Sequence, residues 1–261
     1  MLQPVAAVQM AGAIKALFDP AARPRTMQEI ASTIAANDSA SMAILRPALS
    51  QARPGARWDE DEEGRGSLPD GEWWVCDPVE GAIHHIHGSP HWCVTATLVR
   101  DNAPVLSAIY LPLTGDTYTA LAGGGAWRND TRLHASSKTD LRAAMVGTGQ
   151  AAPGEGAGTQ RRIGQSVTAM LDAALVVQVS VPSTMQLVAV AAGHQDLFWQ
   201  FSQVRSGLFA GALLVAEAGG RVSGLRGEAW HPDSGGFMAG APALGAAALA
   251  VLARIDAGAG Q

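Results

Sequence analysis

The stretch Trp73-Trp74-Val75-Cys76-Asp77-Pro78-Val79-Glu80-Gly81-Ala82 decides how the rest of the chain is interpreted. An apolar run typical of a short strand ends in an aspartate, a proline fixes the next turn, and a glutamate follows three residues after the aspartate. Gly81 then lets the backbone approach a ligand closely. Two carboxylates at the end of a strand, followed by backbone N–H groups, suit a divalent cation with a bound phosphate, although a bare D-x-x-E is more typical of a surface turn with two solvated acids.

The composition indicates an ordinary soluble globular protein. The 261 residues allow one large domain or two smaller ones, and 48% of them are hydrophobic. A net charge of −5 without a basic run argues against nucleic acid as a partner. We expect a cytoplasmic protein without a membrane partner, because no apolar run has membrane-spanning length and no signal peptide precedes the chain. Cys76 and Cys93 lie in apolar stretches and are predicted to be buried thiols.

The first half of the chain predicts helices followed by a meander of antiparallel strands. Helical spacing of apolar residues predicts helices over residues 5–18 and 27–36. Asn37-Asp38-Ser39 is suited to cap a further helix, which Pro47 should kink or end. Strands are predicted over residues 92–99, 105–111 and 117–120, with a β-turn over residues 123–129.

The second half alternates between helical and strand-like segments, which is typical of an α/β unit. Helices are predicted over residues 161–175, 183–192, 209–218 and 241–255, and strands over residues 176–181, 197–199 and 237–239. We therefore predict an N-terminal part, residues 1–140, with helices and the antiparallel sheet that carries the Asp77–Glu80 motif. Residues 141–261 form the C-terminal α/β half, and the active site lies between the two parts.

With these segments placed, the chain resembles the inositol monophosphatase family of magnesium-dependent phosphatases from about Ile34 to Gly240. The stretch 77–81, followed by His87-Gly88 and Pro90, is similar to that family's D-P-[IL]-D-G-T-x-N-F-x-H-G-x-P motif. Three further similar segments follow in the family's order, at residues 110–129, 191–199 and 210–220. The resemblance implies a layered αβαβα sandwich, a homodimer, and hydrolysis of a small sugar- or cyclitol-like phosphate.

The resemblance also implies the residues of a site. Magnesium would be held by Asp77, by Glu80, by the Val79 carbonyl and by an upstream acid, which falls at Asp61 or Glu62 in the acidic run. Substrate would be contacted by the backbone N–H groups of Gly81 and Ala82 and by Gln200, which stands where the family has a substrate-binding glutamate. Arg205 and Ser206 lie beside the expected site and are either contacts for an anionic substrate or part of a solvated loop.

Several positions depart from the family pattern. Glu80 replaces an aspartate, Ala82 replaces a threonine that helps to activate water, and Gly207 stands where the family has a metal-binding aspartate. Because these changes fall on the catalytic positions while the packing glycines are kept, we predict a weakened Mg²⁺ site.

Two alternatives remain open at this point. In the first, His84 or His85 pairs with Asp77 or Glu80 as a metal-independent acid–base pair for an elimination, isomerisation or cyclisation. His84 with the two acids would also be a candidate zinc ligand set. In the second, the protein binds a ligand without catalysis.

Overall fold

The computed structural model describes residues 2–151, 154–202 and 204–258. The helices are α1 Leu2–Ala11, α2 Met27–Ala52, α3 Ala82–Ile86, α4 Ala157–Leu171, α5 Ser183–Ala191, α6 Arg205–Glu217 and α7 Gly245–Gly258. The strands are β1 Arg57–Trp58, β2 Glu72–Glu80, β3 Cys93–Arg100, β4 Ala103–Leu111, β5 Asp116–Leu121, β6 Gly125–Arg128, β7 Thr131–Arg132, β8 Met145–Thr148, β9 Val176–Val179, β10 Leu197–Gln200, β11 Arg221–Ser223 and β12 Phe237–Gly240.

The strands form two sheets. The first has seven strands in chain order, β1 to β7, and is antiparallel apart from the parallel pair β1–β2. The second has five strands in the order β11-β12-β10-β8-β9 and is mixed. Helices α1 and α2 pack on the outer face of the first sheet, α5 and α6 lie between the sheets, and α4 packs with α7 on the far side of the second. The predicted layered αβαβα sandwich is thereby confirmed.

Apolar packing between these layers explains the architecture. The central core joins Ile109 and Tyr118 of the first sheet to Leu187 of α5 and Phe198 and Phe237 of the second sheet. The outer cores lie beneath α1 and α2, and between the second sheet and α4 with α7. Burial of such side chains stabilises each layer contact, at about 1.5–3 kcal/mol for a fully buried large apolar residue.

Helix α2 corrects the prediction of two shorter helices. It runs without interruption through Asn37 and Pro47, and it begins at Thr26, whose hydroxyl accepts a hydrogen bond from the Glu29 N–H at 3.1 Å. Its buried positions Asn37, Ser41, Leu45 and Leu49 recur every four residues and therefore lie on one face. Asn37 is thus part of a packed helix face rather than of a cap.

Other boundaries differ less. The predicted helix over residues 5–18 is α1 followed by a 3₁₀ segment at Gly12–Leu17, and the predicted turn over residues 123–129 contains strand β6. Strands β1, β7, β8 and β11 were not anticipated from the sequence. Cys76 and Cys93 are buried free thiols, as predicted. Within the described residues, none of the helices is long and apolar enough to cross a bilayer.

The two sheets follow one another in sequence, since the first ends at Arg132 and the second begins at Met145. Helices α5 and α6 belong to the second half of the chain, yet α6 packs extensively on the first sheet. This shared helix layer brings the end of β2 next to residues from the C-terminal half.

Candidate active site

The end of strand β2 places two carboxylates together. Asp77 pairs with Thr95 of β3 and Glu80 with Cys93, so β2 carries an extra residue between these two points. Residues three apart point to opposite faces of a regular strand, and the extra residue of a bulge turns them to the same side. Pro78 cannot donate a ladder hydrogen bond, which favours the irregularity at this position. Asp77 and Glu80 are therefore both buried and hydrogen bonded to each other.

Short contacts hold this corner. The Asp77 carboxylate accepts from the Val79 N–H at 3.0 Å, and the Asp77 N–H donates to the Thr95 hydroxyl at 3.1 Å. Gly81 has φ of +87°, and a Cβ there would lie 2.7 Å from the His91 carbonyl oxygen. Only glycine is accommodated at this turn, after which α3 begins at Ala82.

Helix α2 contributes a third acid that the sequence interpretation missed. The Ser41 hydroxyl donates to the Pro78 carbonyl at 2.8 Å, which fixes the helix against the β2 corner. One turn earlier, Asp38 lies close enough to the site for its charge to act on Glu62, and its buried Oδ1 has no hydrogen-bond partner in the described part of the chain. The polar spacing Asp38-x-x-Ser41 within a helix was the signal that could have revealed this residue.

The acidic run contributes the fourth carboxylate, from Glu62. The Ser206 hydroxyl donates to the Glu62 carbonyl at 3.2 Å, so the first turn of α6 positions this loop. The Glu62 side chain hydrogen bonds Asp77, whereas Asp61 is exposed and closes a turn through its carbonyl. Of the two predicted upstream acids, the structure thus brings only Glu62 to the site.

Asp38, Glu62, Asp77 and Glu80, referred to below as the carboxylate cluster, have mutually perturbed acidities. Burial, followed by the charges of Glu80 and Glu62, raises the pKa of Asp77 well above its usual range. Burial raises the pKa of Glu80 to about 7 and that of Asp38 to about 6. Glu62 is an exposed residue, yet protein atoms around its carboxyl group, followed by the charge of Asp38, raise its pKa to about 7.

The cluster has no cationic neighbour to balance it. Across residues 2–151, 154–202 and 204–258, no ion pair joins any of its members to a lysine or arginine. Buried carboxylates without cationic partners are held protonated or bind a metal ion. The all-oxygen donor set and the unpartnered Asp38 Oδ1 fit a hard divalent cation such as Mg²⁺.

In this structure, three acids of the carboxylate cluster are hydrogen bonded to one another rather than spread around a metal position. Among the described residues, no group of three or more His, Cys, Asp or Glu side chains has the spacing to hold a metal ion. Asp77 is hydrogen bonded to both Glu62 and Glu80, which draws the carboxyl groups toward one another. A cation would therefore displace the shared protons and reorient these groups.

The C-terminal half closes the corner through α5 and α6. Pro182, immediately before α5, packs against Gly81, since a Cβ on that glycine would lie 3.1 Å from two of the proline ring atoms. Thr184 is fully buried and hydrogen bonds Glu80. A Cβ built on Gly207 would lie 3.6 Å from Glu80 Oε2, so this glycine faces the cluster.

The histidines do not form the predicted acid–base pair. His85 is buried in the packing between α2 and β3, stacked edge-on against Trp92 with its Nδ1 3.1 Å from the Asn37 amide. His84 Nε2 lies 2.8 Å from the Val181 carbonyl oxygen. Burial lowers the pKa of both rings. These rings are hydrogen bonded to Asn37 and to the Val181 carbonyl rather than to Asp77 or Glu80, so the described contacts give no support to a His–carboxylate pair or to a zinc set containing His84.

Three predicted substrate contacts have structural partners instead. Arg205 is buried and forms a bidentate ion pair with Asp59 at 2.9 Å, so its charge is not offered to a substrate. Ser206 holds the Glu62 backbone. Gln200 is buried at the end of β10, where it accepts from the Ser183 hydroxyl and donates to the Ser202 carbonyl. Gly81 and Ala82 alone of the predicted substrate contacts remain half-exposed next to Glu80.

Comparisons with known proteins agree with the architecture. The model of the inositol monophosphatase family matches residues 2–256. The inositol-1-monophosphatase of Rhizobium meliloti is 32% identical over 200 residues, which cover 76% of this chain and 74% of the relative. A putative Nus factor SuhB of Neisseria meningitidis is 30% identical over 227 residues, 82% of each chain. The solved inositol monophosphatase of Anabaena superposes with a TM-score of 0.80 at 22% identity, covering 96% of this chain and 94% of the other.

Proposed function

The chain belongs to the inositol monophosphatase family, and we propose that it is a Mg²⁺-dependent phosphate-monoester hydrolase acting on a small sugar- or cyclitol-like phosphate. The observation that carries this proposal is the carboxylate cluster, four acids at one corner without a cation among the described residues. A cluster of this kind costs stability unless a metal ion or protons balance its charge. The family's general dependence on Mg²⁺ supports the metal.

Each residue of the cluster has a distinct part in this proposal. Asp77, Glu80, Glu62 and the Val79 carbonyl would hold the cation, which when bound would neutralise phosphoryl oxygens of the substrate. Thr95 and the Val79 N–H orient Asp77 through the 3.1 Å and 3.0 Å hydrogen bonds of the β2 corner. Asp38 carries an unpartnered buried oxygen and is the candidate for orienting a water or accepting its proton.

The backbone at Gly81 and Ala82 is the proposed contact for the phosphate. Both residues border Glu80, and Gly81 adopts a conformation that brings the main chain close to a ligand. Ala82 offers no hydroxyl for orienting water. We therefore propose a slower enzyme than one with that hydroxyl, since one positioning group contributes about 10²–10⁴-fold.

A non-catalytic role is the second candidate. Gln200, Arg205 and Ser206 are all bound within the protein, so the site has few side chains committed to a substrate. A relative named as a putative Nus factor is 30% identical to this chain, which supports a binding function that does not require turnover.

A homodimer in the cytoplasm is proposed as well. Four exposed apolar side chains support it: Val176 and Val179 on the edge strand β9, and Leu171 and Leu175 at the end of α4 and just before β9. An edge strand with exposed apolar side chains is suited to pair with another chain. Sedimentation analysis of the wild type and of Val179→Lys checks this, with a shift of the variant to monomer expected.

The function is tested by phosphate release from a panel of sugar, inositol and nucleotide monophosphates, with and without Mg²⁺. The expected result is Mg²⁺-dependent release from one of the sugar or inositol phosphates, lost in Asp77→Asn. Mg²⁺ binding without release from any substrate would favour the non-catalytic candidate. Release that is unchanged in Asp77→Asn would contradict the site assignment.

A further inference from the structure

Thr184 reaches the carboxylate cluster from the first turn of α5. Its side chain is fully buried, and its hydroxyl donates to the Gly207 carbonyl at 3.1 Å while hydrogen bonding the Glu80 carboxyl group. A hydroxyl has a single proton, so Gly207 and Glu80 compete for it. A buried hydroxyl between two acceptors thus connects α5, α6 and the β2 corner.

The absence of a side chain at Gly207 leaves room for the Thr184 hydroxyl and the Glu80 carboxylate. A Cβ on residue 207 would lie 3.6 Å from the Thr184 oxygen and 3.6 and 3.7 Å from the two Glu80 oxygens. These are ordinary van der Waals distances, so a Cβ would just touch both groups, and a side chain longer than alanine that points this way would enter the volume that the Glu80 carboxylate and the Thr184 hydroxyl fill. The three residues form one packed unit, in which the length of Glu80 is matched by the absence of a side chain at Gly207.

We propose that Thr184 is a positioning residue, whose hydroxyl fixes the Glu80 carboxylate in the orientation that binds the cation. The proposal rests on the proposed function. Glutamate has one more rotatable bond than aspartate, and a fixed hydrogen bond restricts that freedom before the cation arrives. When the Thr184 hydroxyl does not donate its hydrogen bond to Glu80, it donates to the Gly207 carbonyl. Thr184 therefore keeps its position in both hydrogen-bond arrangements.

The test compares Thr184→Val, which removes the hydroxyl at nearly constant shape, with Thr184→Ser, which keeps it. We expect Thr184→Val to weaken Mg²⁺ binding measured by calorimetry about 10-fold, as loss of one hydrogen bond to a charged group predicts. Thr184→Ser should stay within about 3-fold of the wild type, since it retains the donor. Thr97→Val is the matched control, because Thr97 is also fully buried but its hydroxyl has no partner in the described part of the chain.

A second readout needs no metal. In the protein without Mg²⁺, Thr184→Val should lower the unfolding midpoint, and at least half of this shift should vanish in a Glu80→Gln background, because contacting residues are energetically coupled. Equal shifts in both backgrounds, or Mg²⁺ affinity in Thr184→Val equal to that of Thr97→Val, would overturn the proposal. Failure of the wild type to bind Mg²⁺ would refute the proposed function alone, since the unfolding cycle still decides whether Thr184 holds Glu80.

Discussion

Glu72 and Glu80 stand at the two ends of strand β2 and carry the same side chain into opposite surroundings. Glu72 accepts hydrogen bonds from Arg53 at 2.7 Å and from Arg100 at 2.6 Å, and these contacts lower its pKa to about 2. Glu80 is buried among other acids, and its pKa rises to about 7. Eight residues along one strand thus separate a carboxylate whose charge is balanced by arginines from one that has no cationic partner among the described residues.

The comparison teaches that charge balance, rather than residue type, separates a structural acid from a functional one. Glu72 joins the end of α2 to the first sheet, and Arg53 and Arg100 balance its charge. The carboxylate cluster has hydrogen-bond partners but no lysine or arginine partner within the described residues. Perturbed acids without partners are typical of functional sites.

The largest expected difference between the two ends is in catalysis. Asp77→Asn should lower the rate of phosphate release by about 10³-fold or more, because it removes a charged ligand from the proposed metal site. Glu72→Gln is the matched control and should stay within about 2-fold, since surface ion pairs do not reach the site. Steady-state kinetics at saturating Mg²⁺ measures both rates. Equal losses of rate in the two variants would mean that the difference between the two ends of β2 is unrelated to catalysis.

Two arginines should also differ in how much their loss lowers the free energy of unfolding: Arg205, beside the loop that carries Glu62, and Arg53, beside Glu72. Arg205→Met leaves Asp59 buried without its partner, and breaking such a pair costs about 3–5 kcal/mol. Arg53→Met removes an exposed ion pair of Glu72, which solvent already screens, and should change the free energy of unfolding far less than Arg205→Met does. Urea denaturation gives both free energies of unfolding. A small cost for Arg205→Met would show that the loop carrying Glu62 is not held by this ion pair.

The pH dependence of stability should have opposite signs at the two ends. The raised pKa of Glu80 means that its favourable contribution is present below its unfolded value of 4.5 and is lost as pH rises toward about 7. The lowered pKa of Glu72 gives stability that is present above 4.5 and is lost as pH falls toward about 2. Without Mg²⁺, Glu80→Gln should therefore flatten the loss of unfolding free energy between about pH 5 and pH 8, by roughly 1–3 kcal/mol.

Thermal unfolding across this pH range in the presence of a chelator measures the effect. Glu72→Gln serves as the control, because it should leave the loss between these pH values unchanged. A wild-type protein that gains stability from mildly acidic to alkaline pH would contradict the acidities assigned to the cluster.

The smallest expected effect concerns the histidines. His84→Gln and His85→Gln should leave the turnover number within about 3-fold of the wild type, because neither ring contacts the carboxylate cluster and loss of a general acid or base would cost about 10²-fold or more. His85→Gln should instead lower stability through lost packing against Trp92. A large fall in the turnover number of either variant with unchanged stability would favour the metal-independent acid–base mechanism.

Local patterns in the sequence predicted the two acids of the β2 corner and the α/β character of the second half, whereas the layered fold was implied by the resemblance to the inositol monophosphatase family. An apolar run ended by Asp-Pro-x-Glu-Gly specifies a strand, a turn and two acids within ten residues. Alternating segments after residue 141 likewise specify an α/β half. Buried thiols followed from apolar neighbours in the same way.

The remainder of the site depends on contacts between distant segments, which local patterns do not encode. Asp38 enters the site because Asn37 and Ser41 bind His85 and the Pro78 carbonyl across the α2 interface. Arg205 carries the positive charge expected of an anion-binding residue, yet it forms an ion pair with Asp59, which is 146 residues away in sequence. The choice between Asp61 and Glu62 depends on the contact of the Glu62 side chain with Asp77 and on the Ser206 hydrogen bond that holds the Glu62 backbone, and no spacing rule supplies either.

The central claim is that the carboxylate cluster is a cation site whose charge is balanced by protons until the metal binds. Calorimetric titration of the protein with Mg²⁺ near pH 7, repeated in two buffers of different ionisation enthalpy, tests it most directly. The account predicts binding with release of about one proton, because groups with pKa near 7 must lose their protons to bind the metal. Asp77→Asn should abolish this signal. Absence of Mg²⁺ binding, or binding with no proton release, would contradict the account.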